Sequence, residues 1–169
     1  MFQNQVYINP AEAIPGDFAS SNPNQYQLTS TGLMIADTNG VKIGHFAALN
    51  STGTVSSTLA AAPSAASRVG FVHREFNGQI VTYLAESGVT IQPGEPVSLF
   101  RMGDFWVYVD VINGTPVRGA QIWWDVLTGN TIVGAPTSPP STTVNTGFIL
   151  MSETAAVGNT VIIAYGYGQ

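Results

Sequence analysis

FWVYVDVI, residues Phe105–Ile112, is the stretch that decides the fold, because its side chains alternate in character along the chain. The side chains of a β-strand point to opposite faces in turn, so a period of two indicates a strand with one buried face. The predicted core face is apolar and mostly β-branched, with Phe105, Val107, Val109 and Val111. The opposite face combines aromatic and polar groups, with Trp106, Tyr108 and Asp110.

A second segment, Gln121–Val126, repeats this pattern. Its predicted inward side chains are Ile122, Trp124 and Val126, and its outward ones are Gln121, Trp123 and Asp125. Both outward faces therefore set a tryptophan beside polar groups, which is a composition preferred at protein interfaces. Two interpretations stay open: the outward rings contact a partner, or a loop or a further layer of the same domain covers them.

Asn-Gly steps between apolar runs predict two hairpins, because this dipeptide adopts a positive φ at little cost. In the first, Leu33–Ala36 and Val41–Phe46 flank Asn39-Gly40. In the second, Val69–Phe76 and Gln79–Ala85 flank Asn77-Gly78, a register that would pair Val72 with Tyr83.

Further short strands follow at steady spacing, over Val97–Phe100, Ala120–Val126, Thr146–Met151 and Val161–Tyr165. Many short strands separated by turn residues are typical of sandwiches and barrels. The predicted fold class is all-β: a jelly-roll or related β-sandwich or barrel with an extended N-terminal arm. We expect the β-domain to span residues 32–169, with long loops over 50–68 and 134–143.

Residues 1–31 form the expected arm. Pro10, Pro15, Gly16 and Pro23 interrupt any helix, and the apolar side chains occur singly among Asn, Gln and Ser. Such a segment cannot build its own core, although it can place isolated anchors on another surface. A disordered tail is the alternative.

The charge content is low. Charged residues make up 9% of the 169 residues, against about 25% in a typical soluble protein. A charge-poor chain with β-branched and aromatic strands is expected to cover part of its surface with partners. The net charge of −5 argues against nucleic acid as a ligand, because phosphate binding depends on Lys and Arg.

Neither a membrane span nor a secretory signal is predicted, so we expect synthesis in a cytoplasm. No cysteine is present, which excludes disulfides and thiolate chemistry.

Groups suited to catalysis are sparse, and we predict no catalytic, cofactor-binding or metal-binding residue. The two histidines, His45 and His73, lie on different predicted strands without a second histidine at a ligand spacing. Pairs among Asp104, Asp110 and Asp125 could serve a glycan hydrolase only if folding brought them together. Structural roles are the favoured interpretation of all of these side chains.

Two N-terminal motifs resemble the structural cement proteins of tailed bacteriophages. One is PGDFAS at 15–20 followed by Asn22-Pro23, and the other is GVKIGHFA at 40–47. In that family the arm has the form Gly-Asp-Phe-Ala-Ser…Asn-Pro, and a strand of the form Gly-Val-x-(Ile/Val)-Gly-(Arg)-Phe-Ala follows. His45 stands where a basic residue is commoner. The C-terminal half is also similar, through IQPGEPV at 91–97, VRGAQIWWD at 117–125 and GNTVII at 158–163.

The resemblance implies a virion protein on the outer capsid surface that binds the major capsid protein and stabilises the head. It also implies a small homo-oligomer, with a trimer favoured over a dimer, and no cofactor. The candidate interface residues are Ile14, Pro15, Gly16, Asp17, Phe18, Asn22, Pro23, Tyr26, Trp106, Tyr108 and Trp123. The rival interpretation is a phage tail or receptor-binding β-module that contacts host glycans.

Overall fold

The computed structural model describes residues 13–21, 23–30, 32–63, 68–75, 89–136 and 141–165. The strands of these residues are β1 Tyr26–Gln27, β2 Ile35–Ala36, β3 Val41–Lys42, β4 Phe46–Leu49, β5 Thr54–Ser56, β6 Val69–Val72, β7 Thr90–Ile91, β8 Leu99–Met102, β9 Asp104–Tyr108, β10 Val111–Ile112, β11 Gln121–Asp125, β12 Thr131–Val133, β13 Thr143–Leu150 and β14 Thr160–Tyr165.

These strands form two six-stranded sheets and a short ribbon. The first sheet has the order β1-β8-β6-β4-β5-β2, the second has the order β10-β12-β11-β13-β14-β9, and the ribbon pairs β3 with β7. Most neighbours are antiparallel, whereas β2 with β5 and β10 with β12 are parallel pairs. The predicted all-β sandwich class is confirmed.

The main core lies between the two sheets. The second sheet supplies the inward faces of β9 and β11, and Phe105, Val107, Val109, Ile122 and Trp124 are all 0% exposed. The first sheet supplies Phe46 and Phe71, which are also fully buried. The alternation predicted for Phe105–Ile112 and Gln121–Val126 is confirmed at every core position except Val111, which is half-buried and lies in β10, after β9 has ended at Tyr108.

A second core lies on the far face of the first sheet. Ala47, Val72 and Leu99 point there and pack with Val41 and Ile91 of the ribbon. The first sheet is therefore buried on both faces, and all of β6 is buried. A strand buried on both faces reads as a continuous apolar run.

The hairpin predicted at Asn77-Gly78 is wrong in its pairing. β6 already has a neighbour on each side, β4 and β8, and Val72 pairs with Leu99 instead of Tyr83. Residues 76–88, which include the turn and the second strand of that hairpin, lie outside the described residues.

The turn predicted at Asn39-Gly40 forms, but it does not join a hairpin. The Gly40 amide donates to the carbonyl of Asp37 at 3.1 Å, and Gly40 has a φ of +74°. The flanking strands then separate: β2 pairs with β5, and β3 pairs with β7. A Cβ at Gly40 would lie 2.7 Å from the Ile91 carbonyl oxygen, so the turn glycine also allows the ribbon to pack closely.

The two expected long loops are shorter in the structure. β5 lies within residues 50–68, and β13 begins at Thr143, the last residue of the expected 134–143 loop. Residues 64–67 and 137–140 lie outside the described residues.

Candidate interaction surfaces

The PGDFAS segment of the arm lies along β9, at the margin of the second sheet. The Gly16 amide donates to the Trp106 carbonyl at 2.8 Å, and the Trp106 amide donates to the Asp17 carbonyl at 2.9 Å. The Ala19 amide donates to the Asp104 carbonyl at 2.8 Å. The segment thus satisfies backbone groups that an edge strand would otherwise present to solvent or to another chain.

Phe18 closes the end of the sandwich. Its ring lies 5.3 Å from that of Phe105 in the second sheet and 5.6 Å from that of Phe100 in the first. It also packs 4.1 Å from the ring of His73. Because Phe18 is 37% exposed, one part of the ring joins the two sheets and the remainder faces outward.

The other candidate residues of the arm have different environments. Ile14 and Tyr26 are 49% and 54% exposed, and Pro23 is also exposed. Gly16 is buried, and Asn22 lies outside the described residues. The Asp17 carboxylate lies 3.8 Å from the Arg74 guanidinium, but both side chains are 41% exposed, so this ion pair contributes little to stability.

The outward face of the second sheet carries the aromatic candidates. Trp106, Tyr108 and Trp123 are half-buried. Trp106 lies opposite Ile162 of β14, and Trp123 lies opposite Ile132 of β12. Trp123 Nε1 has no hydrogen-bond partner in the described part of the chain. We call Trp106, Tyr108, Trp123, Ile132 and Ile162 the aromatic face.

The carboxylates near this face accept hydrogen bonds from backbone amides and side-chain hydroxyls of the chain itself. Asp125 accepts from the Leu127 amide and the Thr128 hydroxyl, each at 3.0 Å. Asp110 accepts from the Thr131 amide at 2.7 Å. Asp104 accepts from the Ser20 hydroxyl. Each of the three carboxylates thus accepts at least one hydrogen bond from within the fold.

His45 and Asp110 form an ion pair at the end of the sandwich, with 3.2 Å between Nε2 and Oδ2. His45 Nδ1 lies 3.1 Å from the Ile43 carbonyl oxygen. Burial alone would raise the pKa of Asp110, but the hydrogen bonds from His45 and the Thr131 amide, with the charges of His45 and Lys42, hold it below its ordinary value. This pair joins the β3–β4 turn to the end of β9.

A groove of about 280 Å³ opens beside this pair. Its apolar walls are Pro15, Ile43, Val89 and Tyr108, and Lys42 stands with His45 and Asp110 on its polar side. Lys42 is exposed, and Val89 is 49% exposed. We call this feature the Lys42 groove. Sequence reasoning found only its Pro15 and Tyr108 walls, because the other residues meet through contacts distant in the chain.

Among the described residues, no cluster of three or more His, Asp or Glu side chains is placed to hold a metal ion. Among the same residues, no helix is long and apolar enough to cross a membrane.

A charge-poor β-sandwich with an aromatic outward face has the features of a structural protein, and comparison with known proteins agrees. The model of the XM1 gp53 minor capsid protein family matches residues 2–165, and the chain belongs to that family. It is therefore a phage capsid protein, with a place in the virion.

The fold has a counterpart among solved structures. A chain of the capsid of Myoviridae phage XM1 superposes with a TM-score of 0.60 at 14% sequence identity, covering 99% of each chain. No curated protein matches the sequence. At this identity the superposition shows that the two chains share a fold.

Proposed function

We propose that this protein is a capsid cement protein that binds the outer surface of the major capsid protein lattice and stabilises the head. The observation that carries the proposal is the aromatic face. Its two half-buried tryptophans lie beside the half-buried Ile162 and the buried Ile132, and the nearby carboxylates Asp110 and Asp125 are bound within the chain. Tryptophan is enriched where interfaces draw most of their binding energy.

A capsid lattice repeats the same subunit many times, so a surface of this kind can form the same contact at many places. An oligomer that contacts several capsid subunits at once gains avidity, so modest individual contacts suffice. Binding to the assembled shell and not to dissociated subunits stabilises the shell by mass action. We propose a homo-oligomer, with a trimer favoured over a dimer, made in the host cytoplasm before it joins the head.

The arm has two roles in this proposal. Gly16 and Phe18 position the segment on the sandwich, and the exposed side chains of Ile14, Pro23 and Tyr26 contact the capsid or an adjacent copy. The low charge content supports this division, because such surfaces gain stability by being covered.

Binding to purified heads that lack the protein tests the proposal. We expect wild-type protein to occupy hundreds of sites per head and to raise the temperature at which heads release DNA. Electron microscopy should show it on the outer surface. Few copies located at the tail would favour the receptor-binding alternative, and no binding to heads would overturn the proposal.

The aromatic face is tested by Trp123→Ser, with Leu33→Ser as the matched control. Leu33 is 70% exposed and lies just before β2, an edge strand of the first sheet, whereas the aromatic face belongs to the second sheet. We expect Trp123→Ser to lower head occupancy at least about tenfold, as loss of an interface tryptophan commonly does. The control should bind like the wild type. Equal binding by both variants would remove the aromatic face from the interface.

A further inference from the structure

The Lys42 groove has features of a binding site for a peptide segment. Its apolar walls come from four separate parts of the chain: Pro15 from the arm, Ile43 from the β3–β4 turn, Tyr108 from β9, and the residue just before β7. Val89 contributes a further apolar side chain that is about half exposed. A concave apolar surface with a few polar groups at one side is the usual form of a binding pocket.

The charges at the groove favour an acidic ligand. Lys42 is the single lysine of a chain with five cations and ten carboxylates. Its side chain is exposed, and the described residues provide its ammonium with no ion-pair partner. The one carboxylate among the residues that line the groove, that of Asp110, already pairs with His45 and accepts from the Thr131 amide. An incoming carboxylate would therefore meet an available cation.

We propose that the Lys42 groove binds a segment of the major capsid protein in which an acidic side chain adjoins an apolar one. The carboxylate pairs with Lys42, and the apolar side chain packs between Pro15, Val89 and Tyr108. This inference rests on the proposed function, since it assigns the contact through which the protein recognises the lattice. Electrostatic complementarity of this kind gives specificity and speeds association.

The single lysine makes a direct test available. A zero-length carbodiimide cross-link through a side-chain amine of this protein can come only from Lys42. On decorated heads, we expect mass spectrometry to find Lys42 joined to an Asp or Glu of the major capsid protein. Amine acetylation should modify Lys42 in the free protein and leave it protected on the head. A Lys42 that is acetylated equally in both states, or cross-linked to a second copy of this chain, would overturn the inference.

Charge variants give an independent measurement. Lys42→Glu should weaken head binding about tenfold and reduce its salt dependence, as expected for a partly desolvated charged contact. Arg68→Glu is the matched control, because it makes the same charge change at an exposed residue outside the groove. Val89→Ser should weaken binding without changing the salt dependence. Wild-type binding by Lys42→Glu would overturn the inference, whereas failure of the wild type to bind heads would overturn the proposed function.

Discussion

Phe18 and Phe105 form both a backbone bridge and a ring contact, with 5.3 Å between the ring centroids. This pair attaches the arm to the sandwich, because Phe105 is fully buried in the core while Phe18 belongs to the PGDFAS motif. The sequence suggests that Phe18 of the PGDFAS motif anchors the arm to another surface. In the structure Phe18 also packs against the sandwich of its own chain.

Replacing Phe18 should destabilise the isolated protein. A fully buried phenylalanine costs about 3–5 kcal/mol when truncated to alanine, and since Phe18 is 37% exposed we expect about half of that for Phe18→Ala. Phe18→Leu should recover part of the loss. Urea unfolding of the three proteins measures this, and an unchanged unfolding midpoint for Phe18→Ala would show that the arm does not contribute to the fold.

Gly16→Ala should destabilise the protein through a steric clash. Gly16 has a φ of +98°, and its Cβ would lie 2.5 Å from Ile43 Cγ2 and 2.9 Å from Arg74 Cβ. Gly94→Ala is the matched control, because Gly94 has a φ of +84° and open space around the Cβ position. Backbone strain costs about 1 kcal/mol at either position, so a larger loss at Gly16 reports the clash. Equal melting temperatures for the two variants would contradict the close approach.

Asp110→Asn should remove part of the acid sensitivity of the fold. The folded pKa of Asp110 lies below the ordinary value of 3.8, so this carboxylate contributes stability above pH 3.8. That contribution is lost as the pH falls through the folded pKa. Wild type should therefore lose more stability than Asp110→Asn between pH 5 and pH 3. Parallel stability profiles of the two proteins by chemical denaturation would contradict the role of the His45–Asp110 pair.

His73 should destabilise the fold below neutral pH. Burial lowers its pKa from 6.5, and the charges of Glu75 and Asp17 only partly oppose the effect. Because the unfolded chain takes up a proton at pH 6.5 and the folded chain resists it, stability falls as the pH drops below 6.5. We expect the melting temperature of His73→Phe to change less between pH 7.5 and pH 5.5 than that of the wild type. An equal pH response would assign the sensitivity to other groups.

Local sequence patterns predicted part of the architecture and part of the candidate surfaces. The period of two in Phe105–Ile112 and Gln121–Val126 correctly separated the buried Val107 and Trp124 from the half-buried Trp106 and Trp123. The pattern worked because one face of each strand packs into the core between the sheets, whereas the side chains of the other face are only partly buried. The predicted pairing of Val72 with Tyr83 was wrong because β6 is buried on both faces. A strand of this kind is apolar throughout, so its sequence does not indicate which strand it pairs with.

The sequence by itself determined that the domain is all-β, which faces of β9 and β11 are buried, and where Gly40 allows the chain to turn, because these features depend on neighbouring residues. Only the tertiary structure decided that β2 pairs with β5 instead of β3 and that Phe18 packs on Phe105. It also placed Lys42 at a groove beside His45 and Asp110. The physical reason is the separation along the chain of the residues that determine each feature. The alternation within a strand depends on side chains one or two residues apart. Its partners and buried faces are set by contacts between segments far apart in the chain.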